Sequence, residues 1–327
     1  MKVLVTGGAG YIGSHAVYVL IEHGHDVVVV DNLVTGHRWD VHPSATFYYG
    51  NVGDYRFMVD VLRKEAVDGV IHFAAYSLVG ESMEHPFKYY ENNVSVTNVL
   101  LAAMADCGVE RLVFSSTAAT YGDVDVGLIT EEMQALPTNV YGRTKLAMEQ
   151  MIGWHGQAHG MRHVALRYFN VAGAHPMGDI YEKHDPETHL IPIVLEVAAG
   201  VRDQIHIFGD DYPTRDGTCI RDYIHVMDLV QAHVQAMQYL INGGMSVVCN
   251  LGNGEGFSVL EVIEAAREVT GSPIPAIISE RRFGDPAKLV ASSSRAKEVL
   301  GWKPEYPDIK DMIGSAWRAV RKNVDDN

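Results

Sequence analysis

The run Thr6-Gly-Gly-Ala-Gly-Tyr-Ile-Gly13, directly after the apolar Lys2-Val-Leu-Val-Thr6, constrains the fold more than any other segment. Gly7, Gly10 and Gly13 have the spacing G-x-x-G-x-x-G, between a strand-like run and one with helical apolar spacing (Ile12, Ala16, Val19, Leu20). Glycines at such a junction permit a tight turn, close backbone approach to a pyrophosphate and close helix–strand packing. The helix N-terminus adds free N–H donors and a positive dipole end. Alone, the motif fits a bare glycine turn equally well. Its context decides the matter: the next strand-like run ends Val27-Val-Val-Val-Asp31, with a carboxylate where the adenosine ribose hydroxyls of a dinucleotide would lie. That carboxylate would repel an extra ribose phosphate, so NAD is expected rather than NADP.

The first half alternates apolar runs with helical patterns. Strands are expected at Lys2–Thr6, Asp26–Val30, Thr46–Tyr49, Gly69–Phe73, Arg111–Ser115 and His163–Tyr168, with a helix over Asp54–Glu65 capped by Asp54. Nearly all-apolar strands separated by helices specify a Rossmann-type, doubly wound parallel α/β sheet. After about residue 172 the pattern changes. Ala174–Glu187 reads as a loop, Leu190–Gly200 as helix, Ile205–Phe208 as strand, Asp222–Leu240 as mostly helix and Val247–Asn250 as strand. Ser258–Thr270 reads as a helix with a Ser258/Glu261 capping box and Gly271 at its end, and Ile309–Lys322 as the last helix. The expected division is an NAD-binding domain over 1–174 and a smaller C-terminal α/β substrate-binding lobe over 175–327, some of whose chain crosses back.

Charge narrows the partners. Lys and Arg total 26 against 41 Asp and Glu, a net −15, which argues against nucleic acid and anionic membranes as partners. No apolar run approaches the ~20 residues of a membrane span. Three scattered cysteines (Cys107, Cys219, Cys249) fit a reducing, cytoplasmic setting better than a disulfide scaffold.

Chemistry enters at Tyr141-Gly-Arg-Thr-Lys145, which puts a phenol and an ammonium on one face of a helix. A phenol of pKa about 10 is a weak base at neutral pH; nearby positive charge makes its phenolate accessible. Tyr306 and Lys310 repeat the spacing, but Pro307 and Asp308 between them indicate a turn. The first pair follows the strand Leu112-Val-Phe-Ser-Ser-Thr117, whose C-terminal end should face the same crevice as the glycine loop. Thr117 is placed there to hydrogen-bond a reacting oxygen.

Together with Phe73-Ala-Ala75, Arg167-Tyr-Phe-Asn170, Gly173-Ala-His-Pro176, Arg221-Asp-Tyr-Ile-His-Val226 and the stretch from Arg282 to Asp285, these motifs resemble the extended short-chain dehydrogenase/reductase family over nearly the whole chain. The resemblance implies NAD-dependent interconversion of UDP-galactose and UDP-glucose at C4 through a transient 4-keto sugar. Tyr141 would take the 4-hydroxyl proton, Thr117 would orient the sugar oxygen, and Lys145 would hold the nicotinamide ribose. It assigns to the cofactor Gly7, Gly10, Tyr11, Ile12, Gly13, Asp31, Asn32, Thr35, Gly36, Asn51, Val52, Phe73, Ala74, Ala75, Asn92, Ser115, Tyr141, Lys145 and Tyr168. To the UDP-hexose it assigns Thr117, Tyr141, Phe169, Asn170, His189, Leu190, His206, Phe208, Arg221, Arg282, Asp285 and Leu289. No metal is assigned. Relatives pair as homodimers through helices, and the apolar surplus near Tyr89–Ala105 and Tyr141–His155 fits that.

The chain departs from the family pattern at Asn51, where many relatives carry Asp, at Tyr76-Ser77, where some carry a phosphate-facing lysine, and at His189, often Asn. Leu289 replaces a bulky aromatic, which implies room for N-acetylated UDP-hexosamines. Two rivals share the fold: a nucleotide-sugar dehydratase or decarboxylase, and a non-catalytic dinucleotide sensor. Ala118-Ala119 after Thr117 provides no acid for dehydration, and a sensor has no use for Thr117, Tyr141 and Lys145 together. His155, His159 and His163 recur every four residues, but Gly156 and Gly160 interrupt them, so a metal set is not expected there. Gly252-Asn-Gly-Glu-Gly256 reads as a strand–turn–helix link.

Overall fold

The computed structural model describes residues 1–124, 127–184, 186–282 and 285–325. The first part runs β1 (Lys2–Thr6), α1 (Tyr11–Glu22), β2 (Asp26–Asp31), β3 (Thr46–Tyr49), α2 (Tyr55–Glu65), β4 (Gly69–His72), α3 (Val79–Glu84), α4 (Pro86–Tyr89), a π-helical turn (Tyr90–Ser95), α5 (Val96–Cys107), β5 (Arg111–Ser115), α6 (Val140–His159) and β6 (Arg162–Tyr168). The second continues β7 (Asn170–Ala172), α7 (Leu190–Ala198), β8 (Ile205–Phe208), β9 (Ile220–Arg221), β10 (Tyr223–His225), α8 (Val226–Ile241), β11 (Val247–Leu251), β12 (Phe257–Ser258), α9 (Val259–Thr270), β13 (Ala276–Ser279), β14 (Lys288–Leu289), α10 (Ser294–Leu300) and α11 (Ile309–Asp325).

Seven strands form one parallel sheet in the order β11-β6-β5-β4-β1-β2-β3. The order reverses between β1 and β4, opening a crevice at their C-terminal ends. Val27–Val30 are all buried because helices cover both faces of the sheet. One apolar core lies under α1 and α8, with Val17, Leu20, Leu229 and Met237. The opposite core lies under α2, α5 and α6, with Met58, Leu62, Leu100 and Met148. A third core of Ile191, Leu195, Ile263 and Ile313 packs α7, α9 and α11 together with β8.

The expected caps form. Asp54 accepts from Phe57 N at 3.2 Å. Ser258 Oγ accepts from Glu261 N at 3.1 Å while Ser258 N donates to Glu261 Oε2 at 2.9 Å, and Gly271 ends α9 in a left-handed conformation. The stretch Asp222–Leu240 is mostly helix, as expected, but its first residues are extended: Tyr223–His225 pair with β7 as a strand. The cause is Asp222, whose buried carboxylate accepts N–H bonds from Asn253 (2.8 Å), Gly254 (3.2 Å) and Ala291 (3.0 Å), holding the chain extended. Helix α8 starts only where His225 Nδ1 accepts from Met227 N. Two of those bonds occupy the Asn253 and Gly254 donors, and Gly252 N donates to Ser293 Oγ at 2.9 Å, which suits a strand–turn–helix link rather than a second phosphate loop. Tyr306 lies before α11 begins, so it shares no helix face with Lys310.

Candidate active site

Elements from both parts of the chain converge on the crevice above β1 and β4, a cavity of about 550 Å³. The glycine turn forms its floor. Gly7 has φ +73°, and a Cβ there would meet Ala74 N at 2.7 Å. A Cβ on Gly13 would lie 2.1 Å from Gly7 O. Backbone therefore approaches backbone more closely than any side chain permits, and the start of α1 is left bare toward the crevice. Asp31 ends β2 with Oδ2 accepting from Ala9 N (3.0 Å) and Oδ1 from Leu33 N (2.8 Å), which fixes its carboxylate at the edge of the turn. This cradle fits the pyrophosphate and ribose of a dinucleotide. We expect Gly13→Ala to break the turn and to lose bound NAD on gel filtration; a variant that keeps a full complement of NAD would contradict this role.

The reacting end lies beyond the turn. Tyr141, in the first turn of α6, is 9% exposed, and Lys145 one turn later is 4% exposed. The helix is aimed by Asn139, which caps it through Gly142 N at 2.8 Å, and by Ser82 Oγ, which accepts from Tyr141 N at 3.1 Å. Burial pushes the Tyr141 phenol up to about 12, with a hydrogen bond from Thr117 opposing. Burial also draws the Lys145 ammonium down to about 7, with Glu149 opposing. Lys145 Nζ donates to the Ser115 carbonyl at 2.9 Å and stands 5.9 Å from the Tyr141 ring centre. A phenolate made accessible by the Lys145 charge is the expectation from sequence; in the protein alone burial dominates, and the group opposing it is Thr117. Tyr168 OH shares a 2.6 Å hydrogen bond with Ser115 Oγ, joining β5 to β6 under the site.

Most of the residues expected at the site meet here. Gly7, Gly10, Tyr11, Ile12, Gly13, Asp31, Asn32, Thr35, Asn51, Val52, Phe73, Ala74, Ala75, Asn92, Tyr141, Lys145 and Tyr168 all line the cavity, as do Thr117, Phe169, Asn170, His189, Arg221, Asp285 and Leu289. Asn51 Oδ1 accepts from Gly53 N at 2.8 Å, so its amide is already oriented by the chain. Arg221, on β9, is ion-paired with Asp285. Six expected residues stand behind or beside the lining. Ser115 acts through its bonds to Lys145 and Tyr168. Gly36 packs on Ala9. Leu190 opens α7. His206 and Phe208 lie on β8, where His206 Nδ1 contacts Ser279 Oγ at 3.0 Å. Arg282 stacks on the Phe208 ring at 4.0 Å.

Other lining residues were not anticipated: Tyr181, Glu182, Lys183 and His184, from the loop after β7, and His37 and Asp40 facing them. Lys183 Nζ lies 3.4 Å from Asp40 Oδ1 and 4.3 Å from the centre of the Tyr181 ring, bringing a cation to a pocket that lacks a lysine at Ser77. The only sequence signal was the density of charged and imidazole side chains in a segment without periodicity.

The sheet order and this crevice define a Rossmann enzyme that uses a nicotinamide cofactor on a hydroxyl-bearing substrate. Within that class, the chain belongs to the NAD dependent epimerase/dehydratase family, whose sequence model matches residues 3–252. It is 57% identical to a UDP-glucose 4-epimerase of Streptococcus mutans serotype c over 319 residues, 97% of this chain and 96% of that protein. A crystal structure of a UDP-glucose 4-epimerase, 56% identical, superposes with a TM-score of 0.97 over 99% of this chain and 98% of that one. A UDP-glucose 4-epimerase from Brucella ovis in complex with NAD, 46% identical, gives 0.95 over 97% of each.

Proposed function

We propose that this protein interconverts UDP-galactose and UDP-glucose by NAD-dependent epimerisation at C4. The observation that carries the reading is the convergence of Tyr141, Lys145 and Thr117 at one end of a crevice whose other end is the glycine turn and Asp31. Bound NAD supplies the reversible hydride acceptor. Asp31 and the α1 N-terminus hold its ribose and pyrophosphate, and Lys145 its nicotinamide ribose. Thr117 orients the sugar 4-hydroxyl, and Tyr141 takes the proton from its oxygen and gives it back to that same oxygen once the keto sugar has turned the other face of C4 toward the cofactor. Arg221 offers a guanidinium to the diphosphate. Ala118 and Ala119 line the wall beside Thr117 with methyl groups, which favours epimerisation over dehydration. The test is to incubate purified protein with UDP-galactose and no added NAD. UDP-glucose should form on cofactor carried through purification; failure both with and without added NAD would contradict the reading.

The substrate range follows from Leu289, which lines the pocket. We expect UDP-N-acetylglucosamine to be turned over, and faster relative to UDP-glucose in Leu289→Ala; equal rejection by both proteins would rule this out. A homodimer is part of the same reading. Val99 and Leu146 are half-buried on α5 and α6, and Trp154 is 70% exposed on α6, an apolar surface that suits a helix-to-helix seam. A reducing, cytoplasmic setting belongs to the same reading and is supported by the free thiols Cys107, Cys219 and Cys249. No helix among the described residues is long and apolar enough to cross a membrane.

A further inference from the structure

The loop between β7 and α7 brings four donor side chains to one point at the pocket wall. One atom each of Glu182, His184, Glu187 and His189 lies within 4.8 Å of all the others. His184 Nδ1 is 3.3 Å from Glu182 Oε1 and 3.6 Å from Glu187 Oε2; His189 Nδ1 is 2.8 Å and 3.4 Å from the same two carboxylates. Four N and O ligands at about 2.0–2.2 Å from a tetrahedral ion stand roughly 3.3–3.6 Å apart; three of these four imidazole–carboxylate distances fall in that range, the two to Glu187 being made to its two different oxygens. Two further facts set the cluster apart from surface ion pairs. The carboxylates are nearly buried, with side chains 8% and 5% exposed, and His184 Nδ1 is shielded from solvent yet makes no well-aligned hydrogen bond to either of them. Glu187 is pre-set, its Oε1 accepting N–H bonds from Thr188 (2.7 Å) and His189 (2.8 Å).

We propose that Glu182, His184, Glu187 and His189 form a divalent-cation site for a zinc-like ion, separate from the reacting groups. Two imidazoles with two carboxylates suit Zn²⁺ or Co²⁺ better than Mg²⁺ or Ca²⁺, which favour all-oxygen shells. Glu182, His184 and His189 also line the substrate cavity, so the ion would pin this loop at the cavity wall and slow exchange of whatever lies beneath. It is a clamp on access and takes no part in the chemistry.

Metal binding is read directly, independently of turnover. The tag-free full chain, stripped with EDTA, is titrated with Co²⁺ while its visible absorption is followed, and with Zn²⁺ by calorimetry. One equivalent should bind with a tetrahedral Co²⁺ spectrum and increase hydrogen-exchange protection of residues 181–189. His184→Ala and Glu187→Gln, checked for native circular dichroism, should each weaken binding by at least about tenfold. A His155→Ala/His159→Ala variant, which removes the imidazole pair on α6 with rings 4.4 Å apart, should bind as the wild type does. The proposal is overturned if no equivalent binds, the four side chains then being plain ion pairs. It is equally overturned if binding survives His184→Ala and Glu187→Gln, or disappears with His155 and His159.

Discussion

Tyr141→Phe should fold, keep its NAD and lose about 10²–10⁴-fold in turnover, the range associated with one general acid–base group. The substitution removes a single oxygen from a side chain that is 9% exposed and leaves the packing of α6 intact. Tyr141 N still donates to Ser82 Oγ, and Lys145 still donates to the Ser115 carbonyl. Burial pushes Tyr141 up to about 12, so at neutral pH the protein alone holds it protonated. It becomes a base only when positive charge is brought beside it, which ties proton abstraction to an occupied cofactor site. Steady-state assays with UDP-galactose, with cofactor content measured on the same sample, check this. Turnover within a few-fold of wild type would remove Tyr141 from the mechanism.

Glu149→Ala should destabilise the fold by about 3–5 kcal/mol, the cost of leaving a buried charge unpaired. Glu149 lies one turn beyond Lys145 on α6. Its carboxylate accepts from Arg167 Nε at 2.9 Å and Nη2 at 2.5 Å, with both side chains under a tenth exposed. It also accepts from Ser116 Oγ, beside Thr117. The Arg167 guanidinium lies over the Tyr121 ring at 4.8 Å, and Tyr121 OH donates to Asn250 Oδ1 at 2.7 Å. A single carboxylate therefore ties α6 to β6 and to Ser116 just past the end of β5, beneath the reacting groups, and Arg167 and Tyr121 carry the contact on to Asn250 of β11. Urea denaturation should show the loss, and Glu149→Leu/Arg167→Met should be less destabilised than Glu149→Ala because it removes both charges. A Glu149→Ala variant within 1 kcal/mol of wild type, on the order of one exposed pair, would contradict this.

Where the sequence was legible, one physical signal dominated. The inner strands of the large sheet could be read because they are largely apolar on both faces, and α2 and α9 because their caps are written in Asp54, Ser258 and Glu261. The glycine turn, Asp31, Thr117, Tyr141 and Lys145 could be read because each sits at a strand end or helix start that the sheet order brings to one crevice. The short strands β7, β9, β10, β12, β13 and β14 could not. They are two to four residues long and are held by tertiary bonds, such as those of Asp222 to Asn253, Gly254 and Ala291, which local pattern does not encode. The pocket wall from Tyr181 to His184 was missed for the same reason: a loop has no period, and its placement depends on partners distant in sequence, such as Asp40 for Lys183.

The central claim is that the configuration at C4 inverts through hydride loss and return within one site, without exchange of that hydrogen with water. UDP-galactose carrying deuterium at C4, incubated with the protein in ordinary water, tests it by NMR of the product. The account predicts UDP-glucose that retains the deuterium at C4. Product with hydrogen at C4, or a dehydrated keto sugar in place of UDP-glucose, would contradict it.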